Sequence, residues 1–168
     1  SISNLGTLQI AGLTSEQFTA LSSNQVGALK ASQLNTLDSA QLQGIETSDI
    51  AAISTSTLTS LSSAQVNKLS SAQVAALTTA QVSKLTLDQI SNLGAAQIKG
   101  LETIDIAVLT TSQVGAISSA ELTLLSTSQI QGFTTDAIGS LTTAQIGGLS
   151  AAKLGALTSS QLETLKPS

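Results

Sequence analysis

Leu61-Ser62-Ser63-Ala64-Gln65-Val66-Asn67-Lys68-Leu69-Ser70-Ser71-Ala72-Gln73-Val74-Ala75-Ala76-Leu77-Thr78-Thr79-Ala80-Gln81-Val82 repeats one pattern every eight residues. The period extends in both directions without a break. Stepping by eight from Leu5 meets a large apolar residue at all 21 positions, through Phe133 to Leu165, in a chain of 168 residues. We call this position one. Position six, from Ile2 and Ile10 through Phe18 and Val26 to Leu162, is equally apolar, and neither position admits a charge. Both phenylalanines fall on these two positions, which marks them as core rather than ligand-binding aromatics.

The polar offsets carry the same register. Position two is Ser or Thr in 14 of 21 octads, and position five is Gln in 14 of 20. A hydroxyl followed three residues later by Gln or Glu forms a capping box, in which each side chain bonds the other residue's backbone amide. Eleven octads hold both halves, including Thr14/Gln17, Ser62/Gln65, Ser118/Glu121 and Thr158/Gln161. In that register positions one and six are the two halves of a hydrophobic staple. Ten of the 12 glycines lie at positions seven or eight, where a helix end favours a small residue. Each octad therefore reads as one very short helix and a turn. The chain reads as an all-α solenoid, a single continuous repeat unit over residues 1–168.

Two other architectures fit the period less well. In one continuous helix an eight-residue repeat drifts by roughly 80°, so the apolar stripe would wind around the rod. A β-solenoid is the stronger alternative, because Ala-Gln-Val alternates and Thr and Val favour strands. A strand gives no reason for Gln at a fixed offset from Ser or Thr. A single octad buries two aliphatic side chains, too few to offset the ordering of eight backbone residues. Octads must share a core, and stability becomes a nearest-neighbour sum along the array. Two or three octads per superhelical turn is the expectation.

Composition narrows the function. The chain has no Cys, His, Met, Trp, Tyr or Arg, and charged residues make up 10%. Without His or Cys there is no nucleophile–imidazole pair and no His/Cys zinc site. Without Arg there is no bidentate anion clamp. An enzyme is not expected, and neither catalytic, cofactor-binding nor metal residues are assigned. The net charge is −4 and the lysines are scattered, so the phosphate-binding cations of a nucleic-acid partner are missing. No apolar run is long enough to span a membrane.

Three features invite a site reading. The acidic pairs Glu46/Asp49 and Glu102/Asp105 recur 56 residues apart. Carboxylates three apart could join others around Ca²⁺, but they also sit where a helix start favours negative charge. The second explanation is the more economical, and the recurrence hints at a duplicated block of seven octads. Lys153 replaces Gln at position five beside Gly147, Gly148 and Gly155. No Gly-Lys-Ser/Thr phosphate loop accompanies it. The Ser/Thr pairs at positions two and three are read as caps, with a hydroxyl face for water, sugars or ice as the alternative.

The octads Leu-Ser-Ser-Ala-Gln-Val, Leu-Thr-Thr-Ala-Gln-Val and Leu-Thr-Thr-Ala-Gln-Ile resemble the tandem octapeptide arrays of very large secreted or surface proteins of proteobacteria, adhesin-like and haemolysin-like ones among them. The resemblance covers essentially the whole chain. It implies an extracellular location and a spacer or presentation role, and assigns no functional residue. The Gly-Gly-x-Gly-x-Asp nonapeptides that often accompany such proteins are absent. The repeat starts with the first residues and stops only at Lys166-Pro167-Ser168, Pro being a natural helix stop. Such open ends point to a piece of a longer array or to end-to-end self-association. The expected function is a non-catalytic structural spacer of a bacterial surface or extracellular protein. The alternative is a module binding a protein, glycan or ice on its surface or in a groove.

Overall fold

A computed structural model of the chain describes residues 1–165. It contains twenty α-helices of four to six residues, from Thr7–Ala11 to Ser159–Thr164, after a 3-10 turn at Ile2–Asn4. There is one helix per octad and no strand among the described residues. The helical solenoid is therefore the fold, and the β-solenoid alternative is excluded. The stop expected at Lys166-Pro167-Ser168 lies outside the described residues.

Every one of the twenty α-helices takes its N-cap from position two, in extended backbone. Ser70 is typical: its Oγ accepts from the Gln73 amide at 3.1 Å, and its own amide donates to Gln73 Oε1 at 3.0 Å. Ten of the eleven octads with both halves form this box. The exception is Ser62/Gln65. Ser62 still caps the Gln65 amide at 3.1 Å, but its own amide donates to Asn35 Oδ1 at 3.0 Å. Lys68 Nζ occupies Gln65 Oε1 at 2.9 Å instead.

Helices pack on the third helix along the chain rather than on the next. Ser71–Ala75 (α9), for example, lies against Thr47–Ile50 (α6) on one side and Ala95–Gly100 (α12) on the other. Gln73 of α9 also bonds the carbonyls of Leu42 and Ile45, at the end of the helix four octads earlier. Each helix thus straddles two helices of the turn below, as a brick covers a joint. The repeat distance is 28 residues, or three and a half octads. This corrects the expected two or three octads per turn. The half-integer count lets side chains of one turn fill the gap between two helices of the next, the same economy as ridges in grooves.

Positions one and six form one continuous buried core along the solenoid, with Phe18 and Phe133 in it. The small residues near the helix ends have a different cause from the expected left-handed cap. No described residue has a positive φ. Instead, turns approach closely: a Cβ on Gly100 would lie 2.5 Å from the Ser71 carbonyl oxygen, and one on Gly44 2.6 Å from that of Ser15. Glycine is needed there because a neighbouring backbone occupies the space.

Candidate functional site

The dominant polar feature is a ladder of glutamines. Gln33, Gln41, Gln65, Gln73, Gln81, Gln89, Gln97, Gln113, Gln129, Gln145 and Gln161 are all buried. The Nε2 of each donates to the position-one carbonyl 28 residues earlier, from Gln33 to Leu5 through Gln161 to Phe133. The same amide also reaches a carbonyl 30 or 31 residues back, as Gln81 does to Ile50 at 3.0 Å. One carboxamide therefore does two things. Its oxygen closes its own helix start, and its nitrogen ties that helix to the turn before. The sequence showed the first half only. The signal for the second was present: Gln outnumbers Glu fourteen to one at position five, although a capping box accepts either. Only Gln supplies donors.

A sparser second seam runs from position seven toward the following turn. Gln43 Nε2 donates to the Lys68 carbonyl at 2.9 Å and Asn35 Nδ2 to that of Ser60 at 3.2 Å, each 25 residues ahead. Thr19 Oγ1 does the same to Gly44 at 3.0 Å.

The residues singled out from the sequence are variations on this ladder. Lys153 Nζ donates to the Thr123 carbonyl 30 residues earlier, so a lysine takes over the glutamine's cross-turn bond. It is not part of a phosphate loop. Asp49 and Asp105 stand at the glutamine position, 5% and 1% exposed. Asp105 Oδ2 accepts from the Glu102 amide at 3.0 Å, which retains half of the cap. Asp49 Oδ1 accepts from Ser23 Oγ at 2.5 Å, a residue 26 positions earlier. Neither side chain has the amide donors with which glutamine reaches the turn below. Burial pushes the Asp105 carboxyl above the usual range, against the Glu102 backbone hydrogen bond. Glu46 and Glu102 stay exposed. Among the described residues no three acidic groups gather as a metal site. The 56-residue spacing of the pairs is two complete turns, so both occupy the same angular place on the solenoid.

Elsewhere the surface is plain. Hydrogen bonds to its backbone amide and to Thr14 hold Glu16 below the ordinary carboxylate range. An open groove of about 1280 Å³ is lined by Ala72, Ala75, Ala96, Lys99, Glu102 and Ile104, with others. Ile104 is 61% exposed there, at a position usually held by a small residue. Among the described residues no helix is long and apolar enough to cross a membrane.

Five stretches of the chain, residues 2–31, 42–79, 68–95, 98–135 and 114–151, match the ALTTAQ repeat. The chain belongs to the ALTTAQ repeat family. Ala76–Gln81 spells the motif itself, Ala-Leu-Thr-Thr-Ala-Gln. In structural terms the ALTTAQ hexad runs from the last residue of one octad to the cross-turn glutamine of the next. It holds the staple leucine, the cap and the ladder donor in one string. Two of the ALTTAQ matches begin at residues 42 and 98, again two turns apart. No curated protein matches the chain.

Proposed function

We propose that this ALTTAQ array is a non-catalytic structural spacer, a repetitive segment of a bacterial extracellular or surface protein. The observation that carries the reading is the use made of the buried polar side chains. The ladder glutamines face neighbouring turns and serve as length-extending joints rather than as a ligand site. Whole turns can be added without altering any joint, which is what a spacer of adjustable reach requires. Of the reactive residues at hand, Asp38, Asp105 and Glu121 serve in caps and Lys153 as a ladder substitute. The test is replacement of the segment, within the protein that carries it, by an unrelated rigid helical spacer of equal length. A spacer role predicts retained display and function, with both falling when whole turns are removed. Loss of function on replacement at equal length would contradict it. Surface placement is tested by protease shaving of intact source cells, which should release fragments of the array.

The exposed Ile104 in its groove favours a second reading, a module that binds a partner on its lateral face. Ile104→Asp should then abolish partner capture while leaving helicity unchanged. Under the spacer reading this substitution has no effect on function.

A further inference from the structure

The cross-turn bonds are not spread evenly along the solenoid. Gln65, Gln73, Gln81 and Gln89 are four successive rungs to the turn before, with none missing. The following turn alternates. Gln97 and Gln113 reach Leu69 and Leu85, but Asp105 and Glu121 stand where a donor is needed. Both spend a carboxylate oxygen on capping their own helices. The carbonyls of Leu77 and Leu93 accept no hydrogen bond among the described residues.

The second seam stops over the same joint. Among the described residues, the position-seven side chains from Ala75 to Thr123 make no bond to the turn ahead. Asn67 before them reaches Asn92, and Gln131 after them reaches Ala156. The equivalent joint two turns earlier is better tied. Asp49 also replaces a glutamine there, but Ser23 Oγ donates to it, and Thr19 and Asn35 add bonds to Gly44 and Ser60. In the later joint these three donors have become Thr79, Ala75 and Ser91. None of them bonds the next turn among the described residues, and Ser91 turns its hydroxyl back to Asp88.

What remains at the later joint is the Gln113 rung, the packing of Leu87–Ser91 on Thr111–Ala116, and the close approach of Ser71 to Gly100. Beside that approach lies the open groove, with Ala72 and Ala75 from the lower turn and Glu102 and Ile104 from the upper. The joint also falls between the two seven-octad blocks whose ALTTAQ matches begin at residues 42 and 98. The first turn of the second block sits here on the last turn of the first.

We propose that the joint between residues 77–97 and residues 105–121 is a hinge, at which the solenoid opens first and so behaves as two stiffer blocks. Each absent rung makes the open form about tenfold more populated, because less hydrogen bonding is lost on opening. Such opening is local and leaves the rest of the fold intact. The inference rests on the placement of the cross-turn bonds and is independent of the spacer role.

The test is hydrogen–deuterium exchange of the whole 168-residue chain under native conditions, read by mass spectrometry. Segments 47–66 and 103–122 occupy the same angular place two turns apart. They also lie equally far from the two ends of the chain, so fraying acts on both alike. Amides in 103–122 should exchange at least about tenfold faster than those in 47–66. A double variant, Asp105→Gln and Glu121→Gln, supplies the two missing rungs. A second, Ala75→Thr and Ser91→Asn, rebuilds the seam on the pattern of Thr19 and Asn35. Each should slow exchange in 103–122 by about tenfold and leave 47–66 unchanged. Equal exchange of the two segments in the parent overturns the hinge. So does a slowing that spreads evenly over both segments, or exchange in 103–122 that neither variant slows.

Discussion

Gln73 Nε2 donates to the Ile45 carbonyl at 2.8 Å and Gln73 Oε1 accepts from the Ser70 amide at 3.0 Å, so one side chain fixes both a helix start and its place over the previous turn. A helix of five residues has no stability of its own in water. Here most are held at the N-terminus by a box and across their length by a staple, and eleven are tied to their neighbours by a buried amide. The buried carbonyls of position one would otherwise lack partners, a deficit of about 1–3 kcal/mol for each group. The ladder is thus a requirement of burial as much as a source of stability.

Substitution at Asp105 should restore a missing rung. Asp105→Gln removes a buried carboxylate and supplies a donor for the turn below. It is expected to stabilise the chain by about 1–3 kcal/mol at neutral pH, read as a higher urea midpoint. The sign of the pH dependence follows from the raised carboxyl. Folding favours its protonated form, so this group's contribution is full below the ordinary value of 3.8 and is lost as pH rises through the higher folded value. The gain from Asp105→Gln should therefore shrink on acidification toward that range. A gain that grows on acidification would show the opposite shift.

Two glycines should respond in opposite directions to the same change. A Cβ on Gly100 meets the Ser71 carbonyl oxygen at 2.5 Å and the Ser71 Cα at 3.2 Å, so Gly100→Ala must push two turns apart. The cost is expected at about 1–3 kcal/mol. Gly115 lies within the helix Thr111–Ala116, and a Cβ there would meet nothing within 4 Å. Gly115→Ala should gain about 0.5–1 kcal/mol by lowering the chain entropy lost on folding. Thermal melts of the two variants check the pair.

The octad was legible in Leu61–Val82 because caps, boxes and staples are local, with both partners inside eight residues. The turn was not. Its partner atoms are backbone carbonyls, which every residue carries, so the acceptor half of the ladder leaves no mark in the sequence. A distance of three and a half octads also matches unlike positions, five against one, which hides it from any search for identical residues. The donor half left a trace in the preference for Gln over Glu. The glycines were legible as small, but the close approach of Ser71 to Gly100 depends on tertiary packing that no local rule supplies. The recurrence of Glu46/Asp49 at Glu102/Asp105 was visible as seven octads, and it became two turns only once the 28-residue step was known. Ile104 gave no signal at all, since an apolar residue at position four is compatible with either burial or exposure.

Deletions should respect the octad rather than the amount of chain removed. Removing residues 62–117, 56 residues and two full turns, joins Leu61 to Ser118 and preserves every register. The product should keep its helicity per residue and unfold cooperatively. Removing residues 62–113, only 52, joins Leu61 to Val114 and breaks the octad at the junction. It should lose helicity around the joint and melt at a lower temperature. Circular dichroism of the two products decides, and equal melting of both would speak against a fixed register.

The central claim is that position-five glutamine acts across turns, and a matched pair of substitutions isolates that action. Gln17 and Gln81 sit in equivalent capping boxes, Thr14/Gln17 and Thr78/Gln81, but only Gln81 has a turn beneath it, bonded at Ile50 and Ile53. Glu in either place keeps the capping oxygen and deletes the donor. Urea unfolding of Gln17→Glu and Gln81→Glu at neutral pH and low protein concentration is the direct measurement. Gln17→Glu should stay within about 0.5 kcal/mol of the parent, and Gln81→Glu should lose about 3 kcal/mol or more through a buried, unpaired charge and undonated carbonyls. Equal stability of the two variants would contradict the ladder.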